Sequence, residues 1–399
     1  MYTPPQEILE RYADVLVNFA LNGGKGIKPR ESVLVNIPEV AKAFYLPLQR
    51  AILKAGAFPI INYQADNVAA DYFEYASDEQ LDFFADKQMR GLIDQIDHLI
   101  SIIGEADKFE LQKVDAKKIM RQQNSRRPFM DWRAEKEGKG LFSWTVALFG
   151  TPAMAADVQL SEEEYWDQII QSCFLNEKNP IEKWRETYRE LERVRLTLNE
   201  LQIESVHVEA EGIDLTVKLG KNRAWLGGGG RNIPSFELFI SPDWRGTEGE
   251  IFFNESLYRY GNLFEGIKLR FEKGVIVESS ATRNEALLKE MIASENADKI
   301  GEFSLTDKRF SRISKLMGET LFDENFGGEF GNTHIALGNA YRDSYPGDES
   351  TITAEQWEEW GFNRSPVHTD IISTTPRTVT ATLPDGSQKI IYKNGLFQV

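Results

Sequence analysis

The feature that most constrains the fold is an alternation of strand-like and helix-like segments in the first half of the sequence. Short runs rich in β-branched and aromatic residues are separated by segments with helical periodicity. Such alternation is typical of crossover units, which build a mostly parallel sheet with helices packed against it. The predicted strands are residues 32–37, 58–63, 98–103 and 143–149, and the predicted helices are residues 1–20, 38–55, 78–87 and 115–124.

A different pattern begins near residue 204. Apolar and polar residues alternate over residues 206–210, and a turn leads into residues 213–219, which predicts a β-hairpin. We therefore expect two domains of the α/β class. Residues 1–203 would form an N-terminal domain with an open, mostly parallel sheet and helices, and residues 204–399 an α+β catalytic domain that binds metal. Further predictions in this half are strands at 236–240 and 303–305, helices at 284–297 and after His334, and a closing hairpin at 379–392.

Composition narrows the possible partners and the compartment. The chain has 62 acidic and 46 basic residues, a net charge of −16, which repels phosphate backbones and anionic lipid. We expect no nucleic-acid partner and no membrane partner, since the longest uncharged run, residues 140–156, is shorter than the roughly 20 apolar residues that span a bilayer. Cys173 is the only cysteine, which excludes an internal disulfide and favours a cytoplasmic location.

Histidine is scarce, so each one is informative. Packing explains His98 at the start of an apolar strand, and solvent exposure explains His207 on the polar side of a hairpin. His368 and Asp370 stand two residues apart in a short β-prone run, and the two-residue period of a strand places both side chains on one face. An imidazole beside a carboxylate resembles half of a metal site, although the His-x-Asp pattern also occurs often by chance.

The remaining histidine, His334, opens a segment that runs to Tyr341. Interpreted as a helix capped by Asn332 or Thr333, the segment places His334 and Tyr341 two turns apart on one stripe. The loop before it, residues 323–332, combines glycines with carboxylates, and we interpret it as a substrate-facing loop.

The run of glycines at residues 227–230 is the obvious candidate for a phosphate-binding loop. It is followed by Arg231 and Asn232 rather than by the Lys-Ser or Lys-Thr pair that a Walker loop needs. A nucleotide-binding loop of that kind is therefore excluded. The glycines then indicate either a flexible turn or a place where backbone approaches a substrate closely.

Four groups of short motifs follow one another in the second half of the chain. They are Arg231-Asn232-Ile233-Pro234 with Glu237, Ser241-Pro242-Asp243 and Glu248-Gly249; then Gly301-Glu302; then residues 320–325 with residues 332–338 and Tyr341; and last Asn363-x-Ser365-x-x-His368-x-Asp370. In this order they resemble the signatures of the thermophilic-type aminopeptidases, the metallopeptidase M29 or aminopeptidase T family. The resemblance extends over roughly residues 222–372, while the first half of the chain agrees only in general layout.

The resemblance implies a metal-dependent aminopeptidase that removes N-terminal residues from peptides and forms a homodimer. Carried over position by position, it implies the metal ligands Glu237, Glu302, His334, His368 and Asp370, with Tyr341 beside the metals. Tyr341 is expected to stabilise the oxyanion of the tetrahedral intermediate. Glu324 is the loop carboxylate that we consider for proton transfer, and a loop-capping role is its alternative.

The ligand types implied by the resemblance agree with metal chemistry. Two imidazoles and three carboxylates suit zinc, cobalt or manganese, whereas calcium and magnesium favour oxygen ligands alone. Five ligands are more than one catalytic zinc needs. We therefore expect two divalent metal ions that share the ligands and activate a water for attack on the peptide bond.

Two other classes of function stay open at this point. A glycoside hydrolase could use Glu237 and Glu302 as its pair of carboxylates, with aromatic side chains stacking on sugar, and would not depend on metal. A non-catalytic binding protein could be built on the same scaffold. Hydrolysis of amino-acid p-nitroanilides or dipeptides with and without a chelator separates these possibilities.

Overall fold

The computed structural model describes residues 2–259 and 262–399. Its strands are β1 (Ser32–Pro38), β2 (Phe58–Gln64), β3 (His98–Ile103), β4 (Ser143–Leu148), β5 (Ser205–Ala210), β6 (Ile213–Lys218), β7 (Asn232–Ile233), β8 (Glu237–Ile240), β9 (Glu248–Phe253), β10 (Leu257–Arg259), β11 (Asn262–Phe264), β12 (Ile267–Glu272), β13 (Val275–Ser280), β14 (Ile300–Thr306), β15 (Asn332–Gly338), β16 (His368–Ser373), β17 (Arg377–Thr382), β18 (Gln388–Lys393) and β19 (Leu396–Phe397). Its α-helices are α1 (Gln6–Val15), α2 (Leu21–Gly24), α3 (Lys42–Lys54), α4 (Ala69–Tyr75), α5 (Asp78–Asp82), α6 (Asp86–Gln95), α7 (Ala116–Ser125), α8 (Arg127–Gly138), α9 (Pro152–Asp157), α10 (Glu162–Ser172), α11 (Pro180–Glu200), α12 (Glu285–Ile292), α13 (Thr320–Asp323) and α14 (Ala354–Glu359).

The chain divides into two compact units. The first comprises Met1–Arg185 and Gly229–Pro234, and the second comprises Glu186–Gly228 and Ser235–Val399. The boundary between the two units falls inside α11. Residues 229–234 belong to the first unit because their strand, β7, pairs with β4. The domain boundary that the sequence places between residues 203 and 204 stays a prediction.

The first unit contains a parallel sheet with the strand order β2-β1-β3-β4-β7. This confirms the open, mostly parallel sheet that the alternation of segments predicts. Val33, Leu34 and Val35 of β1 are all buried, as expected for a strand that helices cover on both faces.

The helices of the first unit also follow local sequence signals. Ser161 and Glu164 form a capping box at the start of α10, since each side chain accepts a hydrogen bond from the other's backbone N–H. The single helix predicted over residues 78–87 is wrong, because α5 ends at Asp82 and α6 begins at Asp86. Among the described residues, no helix combines the length and the apolar character that crossing a membrane requires.

The second unit contains an antiparallel sheet with the order β13-β12-β9-β6-β5-β17-β18-β19. The predicted hairpin is β5 and β6, in which Val206 and Val208 are buried in the core while His207 and Glu209 face the other way. The predicted closing hairpin is β17 and β18. In β5 and β6 the buried apolar positions alternate with polar ones, as in a sheet covered on one face only.

A second antiparallel sheet in this unit has the order β16-β15-β14-β8. Alternate residues of its four strands pack into the hydrophobic core that also covers the larger sheet: Leu238, Ile240, Phe303, Leu305, Ile335, Leu337 and Ile371. Because successive side chains of a strand point to opposite faces, the intervening residues of all four strands share the other face.

The helix expected after His334 is wrong, since residues 332–338 form strand β15. All seven residues of β15 are buried, with β14 on one side and β16 on the other. A strand buried on both faces lacks the alternation of polar and apolar residues, so its pattern cannot be distinguished from that of a buried helix. Asn332 and Thr333 are therefore strand residues and not helix caps.

Candidate metal centre

The polar face of the four-stranded sheet brings the five predicted ligands together. Glu237 comes from β8, Glu302 from β14, His334 from β15, and His368 and Asp370 from β16. The strand register places Glu302 and Asp370 on either side of Ala336, whose small side chain leaves space between them. Four strands from distant parts of the chain thus present two imidazoles and three carboxylates on one surface.

One group of donor atoms surrounds His334, which is fully buried. Its Nε2 atom lies 3.1 Å from Glu237 Oε2 and 3.1 Å from Glu302 Oε1. The hydroxyl of Ser304 donates a 2.8 Å hydrogen bond to Glu237 Oε2 and fixes the orientation of that carboxylate. His334 Nδ1 is buried and has no hydrogen-bond partner among the described residues.

A second group surrounds His368. Its Nε2 atom lies 3.3 Å from Asp370 Oδ1 and 3.8 Å from Glu302 Oε2. Its Nδ1 atom lies 2.8 Å from the main-chain oxygen of Asn339, and because a carbonyl only accepts hydrogen bonds, Nδ1 must carry the proton. In the neutral ring Nε2 then carries the free lone pair, and this atom faces the carboxylates of Asp370 and Glu302. This is the tautomer that a metal ligand needs.

The two groups have the spacing of metal ligands and have one member in common. The donor atoms of Glu237, Glu302 and His334 lie within 4.8 Å of one another, as do those of Glu302, His368 and Asp370. Since zinc binds nitrogen and oxygen at about 2.0–2.2 Å, two donors on one tetrahedral ion lie roughly 3–3.5 Å apart. The residues present therefore fit divalent metal ions, and Glu302 belongs to both groups.

The electrostatics of the cluster show an excess of buried negative charge. Burial, with the added repulsion of Glu237, raises the pKa of Glu302 to about 7. Burial lowers the pKa of His368, but the adjacent carboxylate of Asp370 outweighs it and raises this pKa to about 9. For His334 the carboxylates of Glu237 and Glu302 likewise outweigh burial and raise the pKa. Protons thus stabilise the cluster where a bound cation would otherwise do so.

Tyr341 and Glu324 lie beside the cluster and belong to neither donor group. The ring centroid of Tyr341 is 4.6 Å from that of His368, and the tyrosine is 43% exposed, so its ring lies between the cluster and solvent. Glu324 is buried, and Asn325 Nδ2 donates to its Oε1 at 3.3 Å. Burial, together with the charges of Glu237 and Asp370, raises the pKa of Glu324 well above its ordinary value.

The loop interpreted as facing a substrate is largely packed into the protein. The carboxylate of Asp323 accepts hydrogen bonds from the backbone N–H groups of Met317 and Glu319. The side chain of Asn325 accepts from Phe236 N at 2.5 Å. These two side chains hold backbone, which is a structural role, whereas the carboxyl of Glu324 lies near the ligands.

The residues that orient the ligands were not predicted from the sequence. Ser304 follows Glu302 by two residues in β14, so the period of a strand could have placed it on the ligand face. Asn339 acts through its main-chain oxygen, which leaves no trace in a pattern of side chains. Gly227 in the run of four glycines has a packing explanation, since a Cβ there would overlap the backbone of Glu237.

This site has the donor set of a metalloenzyme, and comparison with known proteins gives the family. Residues 5–397 match the family described as thermophilic metalloprotease (M29), and the chain belongs to that family. Aminopeptidase PepS of Streptococcus thermophilus is 29% identical, with 98% of each chain covered, and aminopeptidase AmpS of Bacillus subtilis is 28% identical, with 97% of each covered. Wild-type AmpT from Thermus thermophilus superposes with a TM-score of 0.83 at 26% identity, covering 99% of this chain and 100% of that one.

Membership of the family confirms the resemblance on which the sequence-based ligand set depends. It supports neither of the alternatives, a metal-independent glycoside hydrolase or a non-catalytic binding protein. Glu237 and Glu302 are also placed differently from a free acid and base pair, since both point at the same atom of His334.

Proposed function

We propose that this chain is a dinuclear metal-dependent aminopeptidase. The observation that carries the proposal is the position of Glu302, whose two carboxylate oxygens face different histidines. A carboxylate in that position can bind two cations at once. Relatives of the chain over nearly its whole length are named aminopeptidases, which supports peptides with a free N-terminus as the substrates.

The five ligands divide naturally between two divalent ions. Glu237, Glu302 and His334 would hold one ion, and Glu302, His368 and Asp370 would hold the other. The mixture of imidazole and carboxylate suits zinc, cobalt or manganese. When bound, the ions would supply a water activated near neutral pH and an electrophilic partner for the scissile carbonyl.

The remaining chemistry belongs to Glu324 and Tyr341. Glu324 lies near the ligands, and its ionised carboxylate can accept a proton from the attacking water and, once protonated, return it to the leaving amine. The phenol of Tyr341, with its ring against His368, can donate a hydrogen bond to the oxyanion that develops on the substrate carbonyl. Ser304 and Asn339 hold Glu237 and His368 in the orientations these roles need.

The test combines metal analysis with a panel of amino-acid p-nitroanilides and dipeptides. We expect two equivalents of divalent metal per chain, hydrolysis that a chelator abolishes and metal restores, and no cleavage of N-acetylated substrates. His334→Ala and His368→Ala should each abolish hydrolysis. The control is His207→Ala, because His207 is an exposed partner of Asp214 on the larger sheet.

Three results would contradict the proposal. One is full activity in the presence of chelator, which would exclude metal catalysis. A second is one metal per chain at saturation, which would exclude a dinuclear centre. A third is equal cleavage of free and acetylated substrates, which would exclude recognition of the N-terminus.

We also propose that two copies of the chain associate and that the protein is cytoplasmic. The homodimer is implied by the resemblance of the motifs, and the location is favoured by the single cysteine. Light scattering coupled to size-exclusion chromatography should give twice the chain mass of 45.5 kDa. Fractionation of the native cell should place the protein with cytosolic markers.

A further inference from the structure

Ser241 connects strand β8 to the segment of residues 341–362, which begins with Tyr341. It follows directly after β8, which carries Glu237, and it is fully buried. Its hydroxyl accepts a 2.8 Å hydrogen bond from the backbone N–H of Tyr341, and its own N–H donates to the hydroxyl of Ser344 at 3.1 Å. One serine thus holds the segment at the tyrosine and again three residues later.

Arg223 binds near the other end of the same segment, at Trp360, and also binds Ser241. Its Nε donates to the carbonyl oxygen of Ser241 at 2.6 Å, and its Nη2 donates to that of Trp360 at 2.7 Å. The guanidinium lies 4.0 Å from the ring centroid of Phe362. The backbone around Ser241 is therefore fixed from two sides.

The segment between these contacts packs mainly on itself. Its aromatic residues form a small cluster separate from the main core, in which Trp357 and Phe362 are buried and their ring centroids are 4.8 Å apart. Tyr345 and Trp360 stack at 5.3 Å in the same cluster. Because the cluster is self-contained, the position of the segment relative to the metal-ligand strands depends on the hydrogen bonds at its border.

We propose that Ser241 is a positioning residue that fixes Tyr341 against the metal-ligand cluster. The inference rests on the proposed function, in which the phenol of Tyr341 assists the reaction. Tyr341 is 43% exposed, and its ring centroid lies 6.3 Å from that of Phe239 and 4.6 Å from that of His368. These ring contacts act on the side chain, so a restraint on the backbone has to come from a hydrogen bond. The hydrogen bond from Tyr341 N–H to Ser241 ties that backbone to the strand that carries Glu237.

Kinetics of matched variants provide the first test. Ser241→Ala removes the acceptor for Tyr341 N–H, and we expect kcat to fall by about tenfold or more, since small misplacements of a catalytic group have effects of that size. KM and bound metal should change little. Ser241→Thr keeps a hydroxyl and should restore most of kcat. Ser344→Ala is the control, because it disturbs the same cluster but leaves the bond to Tyr341 N–H intact.

A double-mutant cycle separates positioning from general packing. Tyr341→Phe should lower kcat by itself, and in that background Ser241→Ala should have no further effect, since the group that it positions is gone. Hydrogen exchange gives a readout that does not require turnover: the amide of Tyr341 should exchange faster in Ser241→Ala and at the wild-type rate in Ser344→Ala.

Several outcomes would overturn the inference. They are wild-type kcat in Ser241→Ala, equal losses in Ser241→Ala and Ser344→Ala, a full additional loss in the Tyr341→Phe background, and unchanged exchange of the Tyr341 amide. Failure of the proposed function looks different, because the wild-type protein would then lack peptidase activity or Tyr341→Phe would be fully active. The exchange experiment still decides whether Ser241 restrains Tyr341 in that case.

Discussion

Replacing Gly301 by alanine should damage the candidate metal centre without touching a ligand. A Cβ at residue 301 would lie 2.5 Å from the carbonyl oxygen of Gly338 and 2.6 Å from the carbonyl carbon of Asn339, and closer still to the oxygen of Asn339. Non-bonded atoms prefer separations of about 3.5–4.0 Å, so the two backbones must move apart by about 1 Å. The oxygen of Asn339 is the acceptor for His368 Nδ1, and its displacement turns the imidazole away from Asp370 and Glu302.

Two measurements should respond differently to Gly301→Ala. Overpacking of this kind costs about 1–3 kcal/mol, which urea denaturation measures. We expect kcat/KM to fall by up to about 10²-fold, which is more than the increased fraction of unfolded protein would cause. The additional loss follows from misplacement of a ligand. The control is Gly229→Ala, where no atom lies within 4 Å of the added Cβ. Wild-type activity and wild-type metal stoichiometry in Gly301→Ala would refute the reasoning.

Three further predictions concern single groups. Glu324→Gln should keep its metal, because Glu324 belongs to neither donor group, and should lower kcat by about 10²–10⁴-fold; unchanged kcat would exclude it from proton transfer. Burial raises the pKa of Cys173 to about 12, so a thiol reagent at pH 8 should label the unfolded chain but not the native one. In metal-free protein Glu302 and His368 have raised pKa values of about 7 and 9, so the free energy of unfolding should fall as pH rises from about 4 to 9, first through Glu302 and then through His368. A flat pH profile in chelator would contradict the last prediction.

Strand period alone predicts part of the candidate centre. His368 and Asp370 fall on one face of β16 because two residues separate them, and the structure places their side chains 3.3 Å apart. The same rule places Ser304 beside Glu302. Strands β9, β12 and β13 were not predicted, although Ile267, Leu269 and Phe271 alternate with charged residues and point into the core. That alternation is the signal that could have identified β12.

The partners across the sheet could not be predicted from the sequence. Glu237 and His334 approach the same carboxylate because β8 and β15 pair with opposite edges of β14, and pairings between distant segments leave no local signal. The strand conformation of β15 could not be predicted from the sequence for a related reason. Its burial on both faces removes the alternation of polar and apolar residues that is typical of a strand.

The bulge at Gly301 explains why even a correct strand assignment would have misplaced Ile300 relative to the ligand Glu302. Ile300 and Glu302 are two residues apart, so an unbroken strand would place both on the same face. The register of β14 shifts between them, with Ile300 opposite Leu337 and Glu302 opposite Ala336. The shift allows Ile300 to pack in the core while Glu302 faces the histidines. Only glycine fits at the bulge, because its missing side chain admits the carbonyls of Gly338 and Asn339. The position of Glu302 and the orientation of His368 therefore depend on the same residue, and for that reason the Gly301→Ala variant tests both.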